Sequence, residues 1–306
     1  MKMKKENQIL YCPIHITITD ISSYSSFSHF KIRKITNKDR LKWFGIDDLL
    51  VHKIGSISAI SVSKSHNNNS RLTYLLTDPE IHKLYKAQFV LEFDRNFLDD
   101  IPALLLALRL YRPGDIVAPI IFNKEQTLVQ TTGTPLFGKD HSIYSITKKD
   151  ITKINYLFNL IKKEAGQPKI GKVFERYRYA IDQNTSNETS FIELVSILES
   201  LFLNTNSELT YRFSLITSYI LMKKLKLYAP FSQMKNIYGI RSDLIHSGKI
   251  ISKKYIKIYS EELLMTLKMY VSELLMWYLK NPSYRSDPET LIINTLGTND
   301  CILQIR

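Results

Sequence analysis

The stretch Thr147–Ile161, TKKDITKINYLFNLI, marks the point at which the hydrophobic pattern of the chain changes. Its beginning has the form of a capping box, with Thr147 at the N-cap and Asp150 three residues later. The apolar residues that follow share one face of a helix with 3.6 residues per turn, and they are Ile151, Ile154, Leu157, Phe158 and Ile161. The sequence therefore predicts that helical structure begins near residue 147.

From this helix to residue 280 most of the chain keeps a helical period. Five further helices are expected, with apolar stripes at Val173, Tyr177 and Ile181; at Phe191, Leu194, Val195, Leu198 and Phe202; at Leu209, Phe213, Ile216 and Ile220; within residues 231–247; and at Leu263, Leu267, Val271, Leu274 and Tyr278, after a cap at Ser260. In the tail, DPETLIINTLG predicts a short helix capped by Asp287, with Pro288 at its first position. These patterns predict a helical bundle.

The first half of the chain is rich in short apolar runs of the kind that form strands. Ile14, Ile16 and Ile18 alternate with polar neighbours in PIHITIT (13–19). Further strands are expected in RLTYLLTD (71–78), AQFVLEFD (87–94), GDIVAPIIFN (114–123) and QTLVQTTG (126–133). The predicted fold class is α+β, with a strand-rich domain over residues 1–146, a helical bundle over 147–280 and a tail over 281–306.

One helix is expected among these strands, in DDIPALLLALRLYRPG (99–114). Asp100 is its predicted N-cap, and the pair Pro113-Gly114 is its predicted stop. The segments ISSYSSFSHF (21–30) and SKSHNNNSR (63–71) are polar and have no hydrophobic period, so both are interpreted as loops.

The composition is that of a globular chain, with 44% hydrophobic and 23% charged residues among 306. The chain has no run of about eighteen apolar residues, and its basic start leads into a strand-like segment, so a cytoplasmic protein that does not bind membranes is expected. Its two cysteines, Cys12 and Cys301, lie near opposite ends, which excludes a disulfide framework and a zinc site built from sulfur. No metal or other cofactor is expected.

The formal net charge is +13, and it is spread along the chain rather than collected in a tail. Residues 1–150 carry 21 basic and 15 acidic side chains, and residues 151–306 carry 21 and 14. A diffuse positive field favours an anionic partner such as RNA or DNA. The chain is also rich in Lys, Ile, Asn and Tyr, which AT-rich genomes tend to encode, so codon bias is an alternative source of the charge.

Several patterns that imitate catalytic motifs are weak. GTPLFGKD (133–140) has the glycine and lysine spacing of a phosphate-binding loop, but Asp140 stands where a hydroxyl should ligate magnesium. Cys12 and His15 are three positions apart, which on a strand points them to opposite faces. The other histidines before the helical region are isolated, without metal-ligand spacing: His29, His52, His66, His82 and His141. No GxSxG nucleophile elbow occurs.

The segment NIYGIRSDLIHSGK (236–249) is the strongest candidate for chemistry. Arg241 and His246 are separated by four residues near the end of a predicted helix, and Gly248 supplies a helix stop. This pattern alone is also typical of a plain helix end. A histidine in the last turn interacts favourably with the helix dipole, and an arginine beside Asp243 is usually a solvated charge.

The segment IYGIRSDLIHSGK resembles the RxxxxH motif of HEPN domains, in particular of the Apea-like HEPN group. Two other segments are similar to helices of that group: VSILESLF, with Glu199, and ELTYRFSLITSYIL, with Arg212. The resemblance covers residues 170–280. It departs from the family pattern in having Ser247 between His246 and Gly248. In the first half only LALRLYRPGDI (106–116) is similar to a segment found upstream of such domains.

The resemblance implies a helical bundle that forms a homodimer and cleaves RNA without a metal, in prokaryotic antiviral defence or growth arrest. His246 would then be the acid/base and Arg241 the phosphate clamp. Ser242 and Asp243 would orient the imidazole, and Tyr238 and Glu199 would line the cleft. The alternative is a catalytically silent HEPN module that serves as a dimerising scaffold for RNA or for a protein partner.

Overall fold

The structure is a computed structural model that describes residues 8–14, 16–19, 24–39, 87–112, 116, 118, 120–124, 128–131, 144–182, 185–204, 207–246 and 261–298. The chain forms two compact units, residues 1–109 with 114–159 and residues 110–113 with 160–306. The first unit contains the strands and the second is helical, so the predicted α+β class is confirmed.

The first unit is built on an antiparallel sheet of six described strands. In chain order the described strands are β1 (Ile9–Ile14), β2 (Thr17–Thr19), β3 (Tyr24–Phe27), β4 (Phe30–Lys34), β5 (Phe89–Asp94), β6 (Ile120–Asn123), β7 (Leu128–Thr131) and β8 (Ser145–Thr147). The sheet order is β3-β4-β5-β1-β6-β7, and β2 pairs with β8 in a separate parallel ribbon. Strand β1 is central, with Cys12 opposite Leu91 of β5 and Tyr11 opposite Phe122 of β6.

Two sequence expectations for this sheet are wrong. The segment PIHITIT is not one strand, because β1 ends at Ile14 and β2 begins at Thr17 in the other ribbon. The described part of the segment ISSYSSFSHF, from Tyr24 onward, is not a loop, because it forms β3, the turn and the first residue of β4. Phe27 and Phe30 are fully buried on either side of a turn in which Ser28 has a φ of 53°. Burial of these two rings stabilises a hairpin that the many serines conceal.

The helix predicted in DDIPALLLALRLYRPG is present as α1 (Ile101–Tyr111). Its beginning differs from the expectation, because a 3₁₀ helix over Arg95–Asp100 precedes it directly. Asp94, rather than Asp100, supplies the cap, and its carboxylate accepts the backbone N–H of Asn96. The predicted strands AQFVLEFD, GDIVAPIIFN and QTLVQTTG correspond to the shorter β5, β6 and β7. RLTYLLTD and SKSHNNNSR lie outside the described residues.

The helices after residue 147 lie close to the ranges that their period predicts. They are α2 (Asp150–Glu164), α3 (Pro168–Ala180), α4 (Asn187–Phe202), α5 (Leu209–Tyr219), α6 (Phe231–His246), α7 (Glu261–Lys280) and α8 (Pro288–Thr298). The predicted capping interaction is present, since Asp150 Oδ2 accepts both the backbone N–H (2.8 Å) and the hydroxyl (3.0 Å) of Thr147. Ser260, the predicted cap of α7, lies outside the described residues.

Helix α4 is the centre of the helical unit. Its buried side chains are Phe191, Leu194, Val195, Ile197, Leu198, Leu201 and Phe202. Phe202 packs on Tyr278 of α7 in an edge-to-face arrangement with ring centroids 5.8 Å apart. Helix α3 is tied to α7 by a buried hydrogen bond of 2.6 Å between Tyr177 Oη and Ser272 Oγ. The burial of apolar side chains on α4 positions the helices that carry the candidate site.

The short C-terminal helix α8 belongs to this bundle. Asp287 caps it through the backbone N–H of Thr290, as predicted. The carboxylate of Glu289 is buried, and it accepts hydrogen bonds from the backbone N–H of Asn204 (2.8 Å) and from Arg212 of α5. A charged side chain is rarely buried without a partner, so this pair joins α8 to α5 and to the end of α4.

Candidate functional site

Helix α6 carries five of the six residues that the sequence singles out, including the two motif residues Arg241 and His246. Its buried positions Met234, Ile237, Tyr238 and Ile240 hold it against the bundle. Arg241 follows this buried stripe and is only 19% exposed. His246 is the last residue of the helix and is exposed. The motif therefore extends from the packed part of α6 to its solvent-facing end.

Glu199 of α4 brings Arg241 and Tyr238 together. Its Oε2 accepts a hydrogen bond from Arg241 Nη2 at 2.8 Å, and its Oε1 accepts one from Tyr238 Oη at 2.8 Å. The Arg241 guanidinium carbon lies 5.8 Å from the centroid of the Tyr238 ring, within the range of a cation–π contact. One carboxylate thus fixes two side chains that are three positions apart on the facing helix.

Tyr238 is held on the bundle side of the site by an aromatic contact. The Tyr238 ring packs against Phe213 of α5 with centroids 5.0 Å apart. Burial raises the pKa of Tyr238 to about 12, and the hydrogen bond and negative charge of Glu199 act in the same direction. Tyr238 therefore stays protonated near neutral pH and remains a donor to Glu199. Its hydroxyl is a positioning group for the carboxylate rather than a base.

The Arg241 guanidinium retains capacity for an anion. In the part of the chain that the structure describes, it forms one ion pair, through Nη2, and its buried Nε has no hydrogen-bond partner. An arginine carries five N–H donors in a planar fork that matches phosphate oxygens. Glu199 therefore holds the guanidinium in one orientation.

His246, Ser242 and Asp243 lie on another face of α6. Five residues of α-helix turn through 500°, so His246 is about 140° around the axis from Arg241 and about 7.5 Å along it. Ser242 precedes His246 by one turn and is partly buried, and Asp243 is exposed. The structure therefore brings Glu199, Tyr238 and Arg241 into contact, and it places His246 on a different side of the same helix.

The sequence identified Glu199 and Tyr238 only as residues lining a cleft, and their direct contacts with Arg241 were not expected. The one available signal was a glutamate within the apolar stripe of α4, since a carboxylate at such a position needs a partner. Arg212, which the sequence placed in a segment similar to the family, pairs with Glu289 instead of joining this site.

The weaker candidates do not add to the site. GTPLFGKD and His15 lie outside the described residues. Cys12 is fully buried, and burial raises the pKa of its thiol to about 12, which suppresses the reactive thiolate. Within the described ranges no group of three His, Cys, Asp or Glu side chains is placed to hold a metal ion. Among the same residues no helix has the length and hydrophobicity needed to cross a membrane.

Comparison of the chain with protein-family models, with curated proteins and with solved structures gives no match.

Proposed function

We propose that this chain is a metal-independent endoribonuclease of the HEPN type that acts as a homodimer on RNA. The observation that carries the proposal is the Arg241 guanidinium, fixed by Glu199 at 2.8 Å with donors left over, on the helix that ends in the exposed His246. A cation held in place and an imidazole accessible to solvent are the two groups that cleavage by the ribose 2′-OH requires.

Each motif residue has a distinct role in this proposal. His246 would move the proton of the 2′-OH or of the leaving 5′-oxygen, because an imidazole exchanges protons near neutral pH. Arg241 would neutralise the charge that develops on the pentacoordinate phosphate. Glu199 and Tyr238 are positioning residues that orient Arg241, and Ser242 and Asp243 are the groups beside His246 that would orient its ring.

The proposed homodimer is supported by the geometry of α6 together with the resemblance. Since His246 and Arg241 diverge by about 140°, one α6 does not present both side chains on a single face. A second copy related by a twofold axis would supply the missing group to each site. The setting that we propose, a prokaryotic cytoplasm in which RNA cleavage arrests growth or limits a virus, rests on the resemblance.

The decisive experiment is a cleavage assay on purified full-length protein with total RNA and a short 5′-labelled RNA, in the presence of EDTA. We expect cleavage that leaves a 2′,3′-cyclic phosphate, and no cleavage of an RNA with a single 2′-deoxy substitution at the cut position. Cleavage that requires added magnesium, or equal cleavage of an all-deoxy strand, would show that the mechanism is wrong.

A second candidate function is a silent HEPN module that binds RNA or a protein without cleaving it. The observation that favours it is the charge of Glu199, which already neutralises Arg241 in the structure. An intact RNA pool with either EDTA or magnesium, together with RNA binding that His246→Ala leaves unchanged, would support this scaffold over the nuclease.

The cleavage assay also compares Arg241→Ala with Arg176→Ala. Arg176→Ala is the matched control, since Arg176 pairs with Glu193 of α4 at 3.6 Å, away from the motif.

A further inference from the structure

The stretch from the start of α5 to Ser242 of α6 has an unusual charge composition. Residues 209–242 contain no Asp or Glu, whereas the chain average of 29 in 306 would place about three among these 34 positions. The same segment carries six basic side chains: Arg212, Lys223, Lys224, Lys226, Lys235 and Arg241. Two of these, Arg212 and Arg241, have acidic partners on other segments, in Glu289 and Glu199. The four lysines occupy the connection and the first turns of α6.

Hydrogen bonds to backbone groups help to hold the connection in place. A π-helical turn over Ile220–Lys224 ends α5, and Lys226 then adopts the left-handed region with a φ of 59°. Leu227 N–H donates to Leu221 O at 2.8 Å. Ser218 Oγ donates to Ala229 O at 2.6 Å, and Tyr270 Oη of α7 donates to Tyr228 O at 2.5 Å. Residues 220–231, which we call the α5–α6 turn, are therefore fixed by contacts to their backbone.

Aromatic side chains project from this fixed backbone into solvent. Tyr228 is 79% exposed, although its carbonyl is anchored, and Tyr211 of α5 is 55% exposed. The ring of Tyr211 lies beside Phe231, the first residue of α6, with centroids 5.7 Å apart. Phe231 follows Tyr228 by three residues, so their Cα atoms are at most about 11 Å apart. Tyr228 thus lies close in the chain to the Tyr211–Phe231 pair.

Lysines lie near these rings in the chain. Lys224, Lys226 and Lys235 are exposed. The Nζ of Lys224 lies 5.6 Å from the centroid of the Tyr219 ring. The acidic residue that immediately precedes the segment, Glu208, is within 3.7 Å of Arg212. The surface of this stretch therefore combines exposed lysines with exposed aromatic rings.

We infer that the α5–α6 turn, together with Tyr211, binds a single-stranded nucleic acid. Tyr228 and Tyr211 stack on unpaired bases, and Lys226 and Lys235 contact phosphates. Stacking needs unpaired bases, which a duplex does not offer, so a single strand is the ligand that uses both features. A second copy of this chain would bring the same lysines against each other, and the like charges would repel. The surface lies apart from the ribonuclease proposal because it uses neither Arg241 nor His246.

The test measures binding of a fluorescent, single-stranded, uridine-rich RNA to the full-length His246→Ala variant, so that cleavage does not interfere. Adding Tyr228→Ala should weaken binding by about 5-fold to 150-fold, because each stacked base contributes about 1–3 kcal/mol. Tyr228→Phe should bind as the parent does, since it keeps the ring. Tyr179→Ala is the matched control, because Tyr179 is 54% exposed on α3 of the same unit. Circular dichroism on heating checks that each variant is folded.

Salt and competitor strands complete the test. Lys226→Gln should lower the slope of log affinity against log salt by about 0.7, the value for one phosphate contact on a single strand. A DNA strand of the same sequence should compete, and the corresponding duplex should compete less well.

The inference would be overturned by unchanged binding in Tyr228→Ala, by an equal loss in Tyr179→Ala, or by equal binding of duplex and single strand. Dissociation of a dimer by Tyr228→Ala in light scattering would instead identify a contact between copies and would also overturn it. If cleavage in EDTA fails while this binding persists, only the ribonuclease proposal fails.

Discussion

Glu199 and Arg241 are 42 positions apart in the chain and form an ion pair of 2.8 Å between α4 and α6. Their side chains are 18% and 19% exposed, so the pair is screened by solvent much less than a surface pair. The same carboxylate accepts the Tyr238 hydroxyl. This contact joins α6 to α4, the central helix of the bundle. The interaction that orients Arg241 therefore also stabilises the helical unit.

We expect Glu199→Ala to lower the free energy of unfolding by about 2–4 kcal/mol. The substitution leaves the Arg241 charge poorly compensated in a largely buried position, and it removes the acceptor of Tyr238. Urea unfolding followed by circular dichroism measures the change. Glu193→Ala is the control, because Glu193 is bound at 3.6 Å to a half-exposed Arg176 and should cost less than about 1 kcal/mol. Equal losses in the two variants would contradict the importance of the Glu199 pair.

The raised pKa of Tyr238 predicts a loss of stability in alkali. Its ordinary pKa is 10.0, and in the fold it is raised to about 12, chiefly by burial and then by Glu199. A group whose pKa is raised by folding contributes stability that is complete below its unfolded pKa and is lost as pH rises through the folded pKa. Part of the stability should therefore disappear between about pH 10 and 12.

The Tyr238→Phe variant isolates this contribution from that of other tyrosines. It should be less stable than the wild type at neutral pH, because a hydrogen bond to a carboxylate is lost, and the difference should shrink from about pH 10 to 12. Urea midpoints of both proteins across this range provide the measurement. A difference that stays constant with pH would show that the hydroxyl does not titrate as described.

Most helices of the helical unit could be predicted from the sequence, because the buried face of an amphipathic helix has a recognisable hydrophobic period. The stripe that begins at Phe191 gave α4, and the stripe that begins at Leu263 gave α7. The Asp287 cap gave the start of α8. In each case a local pattern, either a period of 3.6 residues or a capping residue, determines where the helix lies, and tertiary packing agrees with it.

The strand-rich unit was less predictable, because pairing joins residues far apart in the chain. The segment PIHITIT has one continuous alternation, yet its two halves join different sheets, since β1 pairs with β5 and β2 pairs with β8. The β3–β4 hairpin was missed because Ser25 and Ser26 lie within β3 and Ser28 follows it, so that the buried Phe27, Phe30 and Ile32 do not form a recognisable alternation. No local signal reports which strand will be the neighbour.

The candidate site divides in the same way. Arg241 and His246 are recognisable from their spacing, but the partner of Arg241 depends on how α4 and α6 pack, which no local pattern encodes. The divergence of Arg241 and His246 around α6 follows from helix geometry once the helix is known to continue to His246. A sequence motif thus identifies the residue types of a site but not their mutual orientation.

Glu289 predicts that the C-terminal helix is required for the stability of the helical unit. Its carboxylate is almost fully buried between Arg212 and the backbone N–H of Asn204. Glu289→Ala should lower the free energy of unfolding, because it leaves the backbone N–H of Asn204 without its acceptor and Arg212 without its closest anion. Urea unfolding tests this, with Glu262→Ala as the control, since Glu262 is exposed on α7 and should cost less than about 1 kcal/mol. A loss below that of the control would contradict the proposed anchoring.

The divergence of Arg241 and His246 predicts how a homodimer divides the chemistry. If each site takes Arg241 from one copy and His246 from the other, Arg241→Ala and His246→Ala homodimers are both damaged at every site. Arg241→Ala should lose about 10² to 10³ in rate, and His246→Ala should lose cleavage altogether.

In a mixture of the two variants that has exchanged subunits, half of the dimers are mixed and each contains one intact site, so about a quarter of all sites should recover. Cleavage of a labelled RNA by the mixture, compared with each variant alone, measures the recovery, and light scattering confirms the dimer. A mixture no more active than Arg241→Ala alone would show that each site is built within one chain, and a monomer at micromolar concentration would count against the shared site altogether.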